Sequence, residues 1–115
     1  MNNREYHPLC GASSYNKKYY FNAEFEKLPE EVQKELKLIC VMFTQKQGGA
    51  FAMTFDPDGH LLLTVDHEEG DVTYDEEASE AAIEELRVEH AELMQQLTLY
   101  YNVLVLGKSP EELGW

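Results

Sequence analysis

Two histidines and a carboxylate are the residues of this chain best suited to metal chemistry. His67-Glu68-Glu69 and, farther along, His90 could supply two imidazoles and one carboxylate, the ligand set of a non-haem iron with open positions. His67, Glu69 and His90 are therefore the metal candidates, with Asp66 and Asp71 nearby in sequence, although their spacing matches no motif. His7 and Cys10 also have ligand types, but no second pair completes four zinc ligands. Asp56-Pro57-Asp58-Gly59 suggests a calcium loop. An EF-hand, however, needs Gly at the sixth position and Glu at the twelfth, whereas here Gly is fourth and Leu61-Leu62-Leu63 follows, so turn chemistry explains the segment. Cys40 lies in an apolar stretch where burial keeps a thiol protonated and inert. No Ser stands in a Gly-x-Ser-x-Gly turn, and Gly48-Gly49 lacks the Lys-Ser or Lys-Thr of a phosphate loop. No catalytic residue and no cofactor follow from these patterns.

Charge gives a stronger signal. The chain has 22 acidic and 9 basic residues, a formal charge of −13, and residues 66–92 hold twelve of the acids against Arg87 alone. A surface so charged repels phosphate backbones and anionic lipid, which argues against direct nucleic-acid binding and against a membrane-surface role. Two readings remain. The run is a solvated helix face and loop, or it recognises a basic protein partner through Asp66, Glu68, Glu69, Asp71, Asp75, Glu76, Glu77, Glu80 and Glu84.

The elements that must position these groups are legible to different degrees. Residues 1–14 have no clear pattern and read as a loosely ordered segment; Lys17–Phe21 reads as a short strand. Leu28-Pro29-Glu30-Glu31 opens a helix, because proline at the first position gives up an N–H that had no partner and two glutamates favour the positive end. Val32, Leu36, Ile39 or Cys40, and Phe43 follow at helical spacing, and Gly48-Gly49 ends the helix, predicted over 29–46. The rival is a shorter helix with a strand over 38–44, since Ile39, Val41 and Phe43 also alternate.

Asp56-Pro57-Asp58-Gly59 turns a hairpin over 50–66. A type I turn with a glycine bulge pairs Phe55 with Leu61, Met53 with Leu63 and Phe51 with Val65 on one face. The opposite face pairs Thr54 with Leu62, Ala52 with Thr64 and Ala50 with Asp66. An isolated hairpin is marginal in water, so a third strand is required, either Lys17–Phe21 or one from another copy. The last helix is predicted over about 76–106, with a capping box at Thr73–Glu76 or a cap at Ser79. Ile83, Leu86, His90, Leu93, Leu97 and Tyr100 recur at intervals of three and four, a seam for self-association in which His90 is the polar member. At ~1.5 Å per residue this helix spans about 46 Å. A compact monomer of this length is about 34 Å across. Either the helix bends or frays near Ser79, or its acidic turns project. Residues 108–115 form a tail with one more helical turn at Ser109-Pro110-Glu111-Glu112.

The order Leu9-Cys10-Gly11-Ala12, Lys18-Tyr19-Tyr20-Phe21-Asn22, Leu28-Pro29, Glu35-Leu36-Lys37, Gly48-Gly49, Phe55-Asp56, Asp58-Gly59 and Leu99-Tyr100-Tyr101 with Leu106-Gly107 resembles a family of short acidic uncharacterised proteins, a domain of unknown function, from anaerobic gut Firmicutes. That resemblance implies an intact bacterial domain and transfers no site residue.

The expectation is one α+β domain over 1–115, in which a small antiparallel sheet packs against helix 29–46 and the long C-terminal helix. Two cysteines without a Cys-x-x-Cys pair, and no apolar leader or 20-residue apolar run, point to a reducing cytoplasm. The function this favours is a non-enzymatic protein-interaction or self-associating module, with a homodimer as one form. The alternative is a small metal- or ligand-binding enzyme using His67, Glu69 and His90.

Overall fold

A computed structural model describes residues 5–114. It is an α+β fold built on a four-stranded antiparallel sheet. The strands are β1 (His7–Ser13), β2 (Lys18–Phe21), β3 (Ala50–Phe55) and β4 (Leu61–Asp66), in the spatial order β2-β1-β3-β4. Helix α1 (Glu30–Gln47) connects β2 to β3, and α2 (Glu76–Glu89) and α3 (Ala91–Tyr100) follow β4.

The β3–β4 hairpin has the register its turn and burial demand: Phe55 faces Leu61, Met53 faces Leu63 and Phe51 faces Val65. Asp56 O accepts from Gly59 N at 3.0 Å, and Gly59 takes φ 95°, the left-handed residue the turn requires. Phe51, Met53, Phe55, Leu61 and Leu63 are buried against the helices. Helix α1 is continuous through 38–44, so the rival strand does not form. Gly48, at φ 78°, ends it.

The N-terminal expectation changes most. Residues 7–13, read as loosely ordered, form an interior strand with neighbours on both sides. The third strand of the hairpin sheet is thus β1; Lys18–Phe21 pairs with β1 and lies at the edge. A bulge between Pro8 and Cys10 breaks the alternation that would have revealed the strand, leaving Leu9 and Cys10 both buried. Gly11 faces Ala52, and a Cβ there would meet Phe51 O at 2.8 Å, so only glycine allows β1 this close to β3.

The C-terminal helix is not one rod. It breaks at His90 (φ −115°, ψ 31°), whose N–H still bonds to Leu86 O and whose carbonyl accepts from Met94 N. The two halves cover different things: α2 packs against α1, α3 against β4. Beyond Tyr100 the chain widens into a π-helical turn, Tyr101–Val105. The fold measures 47 × 33 × 25 Å, longer than a sphere of the same chain. Neither predicted cap forms; Asp75 caps α2 by accepting from Ala78 N. Ser109 and Glu112 close a reciprocal capping box over the final 3₁₀ turn, Glu111–Leu113. No helix among the described residues is long and apolar enough to cross a membrane.

Replacing Gly11 with alanine should force β1 from β3 and lower stability by about 1–3 kcal/mol in urea unfolding, the usual cost of overpacking. An unchanged midpoint would mean that the strands do not meet as closely as described.

Candidate functional site

The candidate metal ligands do not meet. His67 stacks on Tyr74 with ring centroids 4.5 Å apart, and its Nε2 lies 4.0 Å from Glu76. His90 Nδ1 lies 3.5 Å from Glu35 on α1. Glu69 is exposed in the loop after β4. Among the described residues, the single cluster of three His, Cys, Asp or Glu groups within 4.8 Å is Asp56, Asp58 and His60 at the hairpin tip. Its geometry serves the turn, since Asp56 Oδ1 accepts from the N–H groups of Asp58 and His60 at 2.9 and 2.8 Å. Burial alone would raise the Asp56 carboxyl, but the His60 and Asp58 donors outweigh it and hold it below the ordinary carboxylate range.

The proposed self-association seam is used internally. Leu86, Leu93 and Leu97 are buried in the chain's own core, Ile83 and Tyr100 pack against it, and His90 sits where the helix breaks. The acidic candidates are otherwise placed. Asp66, Glu68, Glu69, Asp75, Glu76, Glu77, Glu80 and Glu84 are exposed, and Asp71 is half-buried. The loop that carries them is pinned by Tyr15, whose hydroxyl donates to Asp71 Oδ2 at 2.7 Å and accepts from Glu68 N at 2.9 Å. The Tyr15 bond, with those from Thr73, holds the Asp71 carboxyl low.

Three arrangements escaped the sequence reading. In the first, His7 Nε2 lies 2.6 Å from Glu24 and Nδ1 lies 3.0 Å from the hydroxyl of buried Tyr101. With Nε2–H donating to Glu24, the neutral ring accepts the Tyr101 O–H at Nδ1. Burial, then the charges of Asp56 and Glu24, push the phenol up, so Tyr101 stays protonated and donates. The chain Glu24–His7–Tyr101 ties β1 to the C-terminal π turn. His7 therefore has partners other than Cys10.

The second is a sulfur cluster. Cys10 Sγ lies 3.6 Å from Cys40 Sγ and 3.7 Å from Met53 Sδ, all buried where β1 and β3 meet α1. The mutual S–H contact, then burial, push the Cys40 thiol far up. Such thiols pack as small apolar groups.

The third is a groove of about 640 Å³ between α1 and α2, lined among others by Leu38, Met42 and Leu86 with Glu35, Glu85 and Glu89. Leu38 and Met42 are 60% and 62% exposed; Val72 and Val88 are exposed too, and Leu99, Leu104, Val105 and Leu106 form a second exposed apolar group at the C-terminal end.

The model of a family of unknown function, DUF6145, matches residues 7–109. The chain belongs to that family. The match spans all four strands and all three α-helices of this DUF6145 chain, from His7 in β1 to Ser109. No curated protein and no solved structure matches it.

Two outcomes are expected. His7→Leu should cost about 1–3 kcal/mol in urea unfolding, the penalty of an unsatisfied buried hydroxyl, and Tyr101→Phe should cost less in that background than in the native chain. Because the Asp56 carboxyl is held low, its stabilisation is present above the ordinary Asp pKa and is lost as pH falls through the folded value. Hydrogen-exchange protection at Asp58 and His60 should accordingly fall below about pH 4, and Asp56→Asn should abolish that dependence.

Proposed function

We propose that this chain is a non-enzymatic interaction module whose docking surface is the groove between α1 and α2. The observation that carries it is the exposed pair Leu38 and Met42, one turn apart on α1, facing carboxylates Glu85 and Glu89, one turn apart on α2. An apolar floor rimmed by Glu35, Glu85 and Glu89, with Lys46 the one basic residue of the rim, fits one partner chemistry well: an amphipathic helix whose apolar anchors recur at i and i+4 and whose flanks are mainly Lys or Arg. The contact between His90 and Glu35 links α1 to α2 beside the groove. The exposed acids of residues 66–84 extend the negative field that would steer such a helix. The reading assumes the reducing cytoplasm of an anaerobic gut bacterium, which the two free cysteines suit.

A second reading is pairing of two copies. The sheet face away from the helices carries Gly11, Ala52, Thr54 and Leu62, a shallow surface that a second sheet could cover. The separate surroundings of His67 and His90 favour these readings over a metal-binding enzyme.

A fluorescent helical peptide alternating Leu and Lys at the stated spacing tests the main reading by anisotropy. Binding should weaken with added salt, and Leu38→Asp or Met42→Asp should cost about 1–3 kcal/mol, the loss of a central anchor. Equal affinity for native and Leu38→Asp chains would sink the groove. Sedimentation of the unliganded chain reports on the second reading: a monomer at high concentration excludes it.

A further inference from the structure

The helices cover one face of the sheet and leave the other open. Burial alternates along β2, β3 and β4, and along β1 past its bulge, so the outward positions are fixed. The register arranges them in rows across the four strands. The first row runs Lys18, Ser13, Ala50, Asp66, from edge strand β2 to edge strand β4. The second runs Tyr20, Gly11, Ala52, Thr64, and in the third Thr54 stands beside Leu62. Each of the first two rows differs at its ends. One begins with a cation and ends with a carboxylate, both exposed. The other begins with a ring that is 54% exposed and continues over a glycine and an alanine.

Such rows are complementary to themselves. Two sheets packed face to face keep their strands within about 30° of each other. With a two-fold axis running along the strands between the sheets, each row lies over the same row of the partner in reverse order, β2 over β4 and β1 over β3. Lys18 then meets the partner's Asp66, and Asp66 meets the partner's Lys18. Tyr20 comes over the partner's Thr64 and beside the partner's Leu62. At the centre, Gly11 and Ala52 have too little side chain to fill the ~10 Å between packed sheets, and the two tyrosine rings reach into that space from opposite edges. A two-fold axis across the strands would instead lay β2 over β2 and leave both charges without a partner. Two copies of charge −13 repel in most orientations, so charge favours the first axis.

We infer that two copies of this chain pair through the open sheet face about a two-fold axis parallel to the strands, with Lys18 of each copy against Asp66 of the other and Tyr20 packed beside the partner's Leu62. The inference rests on the reading of this face as a pairing surface and adds its axis, its ion pairs and its aromatic anchor. Four strands about 4.8 Å apart and three rows about 7 Å apart make a patch on the order of 300–400 Å² per copy. The total lies below the ~1,200 Å² at which stable interfaces begin, in the range of transient pairs. The dimer therefore dissociates on dilution. The α1–α2 groove lies on the helix side of the sheet, so a pair presents two grooves facing outward.

Sedimentation equilibrium of the full chain, up to about 1 mM, should show monomer and dimer in exchange. Lys18→Glu and Asp66→Lys should each weaken association about fivefold or more, since each turns two attractions into two repulsions. Both side chains are exposed in the single chain, so the fold survives either change. The two variants move the net charge in opposite directions, to −15 and −11, so a loss common to both does not come from overall repulsion. An equimolar mixture of the two variants should associate as the native chain does, because every contact between positions 18 and 66 in the mixed pair joins opposite charges. Tyr20→Ser should also weaken pairing. A native chain that is monomeric at the highest concentration overturns the inference together with the pairing reading. If the native chain dimerises, the inference alone is overturned when the mixture associates no better than the separate variants, or when Tyr20→Ser pairs as well as the native chain.

Discussion

The pairing of β1 with β3 is the contact on which the rest of the fold depends. Without it, β3–β4 is a lone hairpin and β2 has nothing to bond, since β2 touches the sheet through β1 alone. The approach of the two strands also fixes the core, because Leu9, Cys10 and Ala12 enter it beside Phe51 and Met53 and meet Leu36, Ile39 and Cys40 of α1. The absence of a Cβ at Gly11 makes this possible. Packing at the Cys10–Cys40 contact then sets α1 over the sheet, and the open side of α1 is left to form the groove with α2.

The second half of the chain is arranged around the hairpin tip. Asn102, buried in the π turn, donates to Gly59 O at 3.0 Å and to Thr98 O at 2.7 Å. Any Cβ on Gly59 would fall 2.3 Å from Asn102 Oδ1, so the glycine answers two demands, the left-handed turn and the approach of the helix. A widened helical turn brings Asn102 onto the tip while Tyr101 stacks on Phe55 at 4.1 Å. The break at His90 has a matching role. A straight helix could cover α1 or β4, and bending lets Leu86 serve one half of the core and Leu93 and Leu97 the other.

What the sequence revealed follows the range of the interactions. The hairpin register was readable because Asp56, Pro57 and Gly59 act on neighbours and the alternation of Phe51, Met53 and Phe55 is unbroken. The ends of α1 were readable for the same reason. β1 was not, because Pro8, Gly11 and the bulge at Leu9 erase the period of two, and its partner lies some forty residues away. The His7–Tyr101 bond joins residues 94 apart, and no local signal announces it. The heptad spacing of Ile83 to Tyr100 was real, but spacing alone does not say whether a stripe meets its own sheet or another chain; the small sheet of this fold needed it. For the histidine candidates the sequence held no local signal of whether they meet; the neighbours the structure gives them are Tyr74 and Glu76 for His67 and Glu35 for His90.

Charge segregation connects the fold to its surfaces. The acids of residues 66–92 occupy a loop held by Tyr15 and the outer face of α2, and neither contributes apolar groups to the sheet beyond Leu86 and its neighbours. The lysines of the first half are spread over the β1–β2 turn (Lys17), β2 (Lys18), the segment before α1 (Lys27) and α1 itself (Lys34, Lys37 and Lys46). Since α1 presents Leu38 and Met42 toward α2 and Lys37 toward Tyr19, one helix has the apolar groove on one side and the edge strand β2 on the other. The same helix mixes its charges, since Glu30, Glu31 and Glu35 stand among Lys34, Lys37 and Lys46, and Arg87 lies on the acidic helix α2, where it donates to Leu61 O at 3.1 Å. The net excess of acid is therefore a property of the loop after β4 and the outer face of α2, the part of the chain that the sheet does not need for its core.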